Sequence, residues 1–270
     1  MNENFKAALK FVEHFGNELE RYRVQYLFYG IRNDEIPLHY LRELQNEDGG
    51  FPFNLEKGKE SSVSETCGVL AILEELNLNA SDVCKKTISY LFKVQEEDGS
   101  WDENIEIKKY NPPFWDMPGD LKTKMWLTGE ITRLLIKLNY KDARPVEKAL
   151  DFLLKHRDKE GKFAGFRIST WIAIAIFGQL KGLNNELVDK ALSVVGNWID
   201  DESDASFLVW YLECLGQGDI PKNHPIIRKC LNKLIKQQHK NGRWTSEDGE
   251  RYTVSTTIST LKTLRNFDLF

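Results

Sequence analysis

YLRELQNEDGGF (residues 40–51) and YLFKVQEEDGSW (residues 90–101) carry one spaced pattern: an aromatic, Leu, three residues, Gln, three residues, Gly, one residue, an aromatic. FLLKHRDKEGKF (152–163) repeats it with Arg157 in place of Gln. KLIKQQHKNGRW (233–244) repeats it with Lys233 in place of the first aromatic. Self-similarity of this kind means one supersecondary unit copied along the chain. Each copy reads as a helix end and the turn after it. Between Lys85 and Gln95, Ile88, Leu91, Phe92 and Val94 make an apolar helical face. Glu-Glu-Asp-Gly then stops the helix, with Gly99 suited to the left-handed conformation that follows many helix C-termini. Trp101 is then free to fold back onto the helix it has left.

A second, more apolar helix is predicted after each turn: Ser64–Leu76, Asp120–Leu138, Ser169–Leu180 and Thr253–Leu264. A weaker pair lies between the third and fourth copies, near Glu186–Trp198 and Ala205–Leu215. The first helix of each unit mixes charge with apolar residues, as in Val146–Lys155. The second is apolar nearly all round, as in STWIAIAIFGQL (169–180), and belongs in an inner layer. The expected fold is all-α, an α/α toroid of about five to six helical hairpins in two concentric layers. An open helical solenoid is the alternative. One domain is expected over residues 1–270, with N-terminal helices in 1–34 completing the ring and repeats over 35–266, since no Pro/Gly/Ser-rich linker interrupts them.

A net charge of −4 argues against general nucleic-acid affinity. The longest strongly apolar run, near Trp171–Leu180, is too short to span a bilayer, which leaves peripheral membrane contact at most. No signal-peptide layout opens the chain. Cys67, Cys84, Cys214 and Cys230 form no C-x-x-C pair and fit reduced core thiols in a cytoplasmic protein. The five histidines lie outside any HxxxH or HExxH spacing, so no metal site is read from them.

The segments QNEDGGF, QEEDGSW and QHKNGRW resemble the Gln–Trp repeats of the terpenoid cyclase and protein prenyltransferase superfamily. That resemblance implies inner helices whose N-termini point into a central aromatic-lined cavity holding an isoprenoid chain. DESDASFLVW (201–210) resembles the D-x-D-D stretch of class II cyclases, with Asp201 and Asp204 as the outer acids and Ser203 where the protonating acid belongs. Protonating an alkene needs a strong acid held by neighbouring carboxylates, which a Ser hydroxyl does not supply. Glu202 and Asp204 are the candidate replacements, so Asp201, Glu202 and Asp204 form the candidate catalytic set. The same segment resembles the zinc region of prenyltransferase β-subunits, with Asp204 matching its Asp. Ser206 stands for the Cys and Thr256 near the His. Two of three ligands are therefore missing. No cofactor is expected, and the residues leave room for Mg²⁺ or Zn²⁺; a second protein subunit is a partner the resemblance brings in.

The candidate substrate-binding residues are Glu65, Asp120, Arg167, Trp115, Trp126, Trp171, Phe207, Trp210 and Tyr252. The acids lie at predicted inner-helix N-termini, where capping is the plainer role. Trp126, Trp171, Phe207 and Trp210 supply aromatic faces able to stabilise a carbocation, although an aromatic on an apolar helix is more often core. Ile105–Asp120 is the longest insertion, with Tyr110, Phe114, Trp115 and Met117 apolar enough to cover a cavity mouth. For a diphosphate, Arg167, Lys122 and Lys124 are the candidate cations. The leading expectation is an isoprenoid enzyme. The alternatives are a non-catalytic lipid-binding or protein-interaction toroid and a carbohydrate-active toroid that uses paired carboxylates.

Overall fold

The computed structural model describes residues 3–200 and 203–269. Twelve α-helices run through the described residues. They are α1 (Glu3–Phe15), α2 (Glu18–Tyr29), α3 (Glu35–Leu44), α4 (Val63–Glu75), α5 (Asp82–Lys93), α6 (Leu121–Lys137), α7 (Arg144–Lys155), α8 (Arg167–Lys181), α9 (Glu186–Gly196), α10 (Ala205–Gln217), α11 (Pro225–Lys236) and α12 (Thr253–Asn266). The fold is all-α apart from one small hairpin, in which β1 (Phe51–Pro52) pairs antiparallel with β2 (Ser61–Ser62). The five second helices expected from the sequence, and the first helix near Glu186–Trp198, are present, with ends that differ by at most two residues. The chain divides into two compact units, Pro37–Ile176 and Met1–Ile36 with Phe177–Phe270.

Within Pro37–Ile176, α4 packs on both α5 and α6, and α6 on α7. The two helix types differ as their composition requires. Helix α6 is buried continuously from Leu127 to Ile136, and α8 from Ser169 to Gly178. Helix α7 buries one stripe, Val146, Ala149, Phe152 and Leu153, at the i, i+3, i+6 and i+7 spacing of a single face. In the other unit, α11 buries Ile227, Cys230, Leu231 and Leu234 in the same manner, and α10 lies between α11 and α12. The four cysteines are buried, and none is in a disulfide. Burial pushes the Cys84 thiol up to about 11 and Cys230 up to about 12, as expected of inert core thiols.

The repeated turn works as a two-sided staple. Gln95 donates from Nε2 to its own turn at Gly99 O (3.0 Å) and to Pro145 O at the start of α7 (2.7 Å). Gln45 reaches Gly49 O (2.9 Å) and, on α5, Val83 O and Thr87 Oγ1 (both 3.2 Å). Gln238 reaches Gly242 O (2.9 Å) and Asn4 O on α1 (2.8 Å). The fourth turn therefore docks on α1 just as the first docks on α5 and the second on α7. The aromatic folds back as the sequence implies: Trp101 Nε1 donates to Leu91 O at 2.6 Å, and Trp244 Nε1 to Leu234 O at 2.7 Å. Replacing Gln95 with Leu removes both contacts and leaves Gly99 O without its donor, and should lower the unfolding free energy by about 2 kcal/mol in urea denaturation.

A further element of the repeat is a threonine on the helix that follows. The backbone N–H of Phe51 donates to Thr66 Oγ1 (2.8 Å), Trp101 to Thr128 (2.8 Å), Phe163 to Thr170 (3.1 Å) and Trp244 to Thr257 (3.1 Å). All four threonines are fully buried. Each pins the turn to the more enclosed helix of its hairpin and satisfies an N–H that no ladder would reach.

Candidate functional site

In Pro37–Ile176 the candidate residues gather at the N-termini of α4 and α6. Ser62 caps α4, its Oγ accepting from Glu65 N at 3.1 Å. Glu65 itself accepts from Asn54 N at 3.1 Å, so it fastens the turn after β1. The dominant acid here is one the sequence reading passed over. Glu103 is 4 % exposed. Its Oε1 accepts from Val63 N and Asn104 N, both at 2.7 Å. Its Oε2 accepts from Ser62 Oγ (2.8 Å) and Ser64 N (3.0 Å). The free N–H groups at the start of α4 are thus taken by a carboxylate from the next repeat, which also meets the favourable end of the helix dipole. Burial nevertheless pushes the Glu103 carboxyl up to about 7, against the pull of those four donors.

The insertion Ile105–Asp120 folds as two short 3₁₀ turns, Ile105–Tyr110 and Phe114–Asp116. It is clamped at both ends. Tyr110 stacks on Phe53 (5.7 Å, 8° between planes) and donates to Glu60 at 2.6 Å. Lys109 pairs with the same carboxylate, and these two contacts hold the Glu60 carboxyl down to about 2. At the other end Gly119 N donates to Asp102 Oδ2 at 2.9 Å. Between the clamps, Phe114 is 67 % exposed and meets Trp115 and Phe166 edge-on. Trp126 Nε1 and Thr123 Oγ1 both donate to Trp115 O, at 2.6 and 3.0 Å, which ties the loop to α6. Trp115 and Trp126 are thus brought together and half-buried, whereas Trp171 is buried within α8. Asp120 caps α6 through Lys122 N at 2.8 Å. Of the candidate cations, Lys124 lies 3.7 Å from Asp102, Lys122 sits over the Phe166 ring at 5.8 Å, and Arg167 is exposed at the start of α8.

In the other unit Asp201 and Glu202 lie outside the described residues, and Asp204 is the member of the candidate catalytic set that the structure places. Asp204 caps α10 through Phe207 N (3.0 Å). It also accepts from Ser206 Oγ (3.0 Å) and from Glu247 N (2.6 Å). Both oxygens are therefore engaged by donors. Ser203 turns away from it: its hydroxyl bonds Asp200 Oδ1 at 3.1 Å, and Gln237 Nε2 donates to its carbonyl at 2.7 Å. Phe207 lies against Tyr211, with ring centroids 6.4 Å apart, and Trp210 is half-buried on the same helix. Tyr252, at the entrance of α12, carries Arg251 over its ring at 4.4 Å. A second carboxylate, also absent from the sequence reading, stands near Asp204. Partial desolvation, and then the Asp204 charge, push the Asp248 carboxyl above its ordinary range. Asp248 arrives on the segment after Trp244, and no sequence spacing ties it to residues 201–204.

Among the described residues no group of three or more His, Cys, Asp and Glu side chains is placed to hold a metal, and no helix is long and apolar enough to cross a membrane.

No family model and no curated protein matches the chain. Solved structures do. The type II terpene cyclase MstE from Scytonema superposes with a TM-score of 0.69 over 97% of this chain and 97% of its own, at 11% identity. A variant of that enzyme in complex with geranylgeranyl dihydroxybenzoate, its substrate, gives 0.65 over 99% and 97%, also at 11% identity. A protein from Actinoplanes gives 0.66 over 98% of both chains at 14% identity. The chain therefore has a terpenoid-cyclase-like fold from end to end.

Proposed function

We propose that this protein binds an isoprenoid chain in a central apolar cavity of an α/α toroid and protonates it, with Asp248 as the proton donor in place of the acid missing at Ser203. The observation that carries the reading is the terpenoid-cyclase-like fold, with the Asp204 carboxylate capping α10 and Asp248 near enough to feel its charge. Two neighbouring carboxylates in unlike surroundings divide the work of an acid site. Asp204, surrounded by donors from Phe207, Ser206 and Glu247, is an acceptor. Asp248, an exposed residue whose carboxyl is held above its ordinary range by partial desolvation and the Asp204 charge, is the more readily protonated of the two. Phe207 and Trp210 lie on the helix that Asp204 caps and supply aromatic faces for developing positive charge. No diphosphate clamp is invoked, since Lys124 is turned to Asp102.

A second reading, isoprenoid binding without turnover, is favoured by the Ser203 hydroxyl, which is spent on Asp200. One experiment separates the two. The protein is incubated with geranylgeranyl dihydroxybenzoate and with geranylgeranyl diphosphate, and products are followed by mass spectrometry. A new cyclic product that drops by about 100-fold or more in Asp248→Asn supports protonation by Asp248. Retention of substrate without product supports binding alone. Neither retention nor product removes the isoprenoid reading.

A further inference from the structure

The unit containing both chain ends holds a cleft of about 430 Å³, within the usual range for small-molecule pockets. It is bounded by the end of α1, the start of α2, the fourth repeat turn and the start of α12. Its apolar wall is Phe11, Phe15 and Val254. Phe15 is 62 % exposed, although it lies 4.9 Å from the Phe11 ring and 4.5 Å from His14. Phe15 therefore presents an open apolar face at the cleft.

The polar wall is made of donors. Asn17 accepts Glu20 N on Oδ1 at 2.9 Å, which fixes the amide so that its NH₂ is left over. Asn241 accepts Arg243 N on Oδ1 at 3.4 Å and leaves its NH₂ in the same way. Arg243 gives Nη1 to Glu250 at 2.7 Å, and its buried Nε has no partner. Helix α12 begins here without a side-chain cap. Each acid of the cleft has one oxygen engaged, Glu20 by Asn17 N (2.9 Å) and Glu250 by Arg243 (2.7 Å). Two acids and two arginines line it, so its formal side-chain charge is zero and a multiply charged anion gains little there.

We propose that this cleft is a binding site for a monocarboxylate carried on a flat apolar body. The carboxylate is held by Arg243 and the Asn17 and Asn241 amides, and the body lies on Phe11 and Phe15. A planar carboxylate matches the remaining guanidinium N–H and two amide donors better than a point anion does.

The test titrates the full chain with 2-naphthoate, its uncharged isostere 2-naphthamide, and inorganic phosphate, by calorimetry and ligand-observed NMR. Naphthoate should bind at least about 10-fold more tightly than either, the equivalent of one lost charge-assisted contact. Arg243→Gln should weaken naphthoate by about 10-fold. Because that change also releases Glu250, Phe15→Ser serves as the second variant; it alters an exposed ring and should weaken binding by about 5-fold with an unchanged melting temperature. Equal binding of acid and amide, phosphate binding as tight as naphthoate, or an unaffected Phe15→Ser protein would overturn the site.

Discussion

Gly99→Ala should cost about 3–5 kcal/mol of unfolding free energy, among the largest losses available to one methyl group in this chain. Two terms add. Gly99 has a φ of +91°, where any residue with a Cβ is strained by about 1–2 kcal/mol. The added Cβ would also fall within 3.0 Å of the Lys148 carbonyl on α7, a backbone group that cannot rotate away. Gly58 separates the two terms. Its φ is +90°, and nothing lies within 4 Å of the position its Cβ would take, so Gly58→Ala should cost the strain alone. Urea denaturation of both variants reads the difference, and equal losses would mean that close docking of turn on helix contributes nothing. Gly49 and Gly242 meet Lys86 and Ala7 in the same geometry, which makes the close approach a property of the repeat.

Glu103→Ala is expected to cost a comparable amount, about 4 kcal/mol, because it strands Val63 N, Ser64 N, Asn104 N and Ser62 Oγ in a buried place. Glu103→Gln keeps one acceptor oxygen and the shape, and should lie within about 1 kcal/mol of the parent at pH 5. The two then diverge with pH. The folded carboxyl titrates at about 7. The unfolded one titrates at about 4.3. Folding therefore takes up a proton across that window, and this contribution to stability is complete below about pH 4.3 and lost as pH rises through 7. Glu103→Gln lacks the titration and should gain about 3 kcal/mol on the parent between pH 5 and pH 8. If the parent instead gains on the variant as pH rises, the four donors outweigh burial and the expected sign is wrong.

The architecture of the repeat was readable because every part of it is local. Gln and Gly stand four residues apart on one turn, and the aromatic two residues on must return to the helix just left. Burial patterns followed from composition in the same way, all round for α8 and one stripe for α7. The caps were also visible as acids before apolar runs, and Asp120 and Asp204 serve as such.

The partners across the chain were not readable, since loop length hides them. The repeat threonines Thr66, Thr128, Thr170 and Thr257 follow their aromatics by 15, 27, 7 and 13 residues, so no spacing rule finds them. Glu103 resembles any surface acid after a turn until its carboxylate is seen on the N-terminus of α4, some 40 residues back. The Asp248 carboxyl is raised by partial desolvation and by Asp204, 44 residues earlier in the chain. The sequence by itself determined the hairpin unit, its stop signals and which helices are enclosed, because those depend on periodicity and on backbone conformation within a dozen residues. The tertiary structure alone decided which acids are buried and which carboxylates meet, because desolvation and charge coupling depend on distance in space.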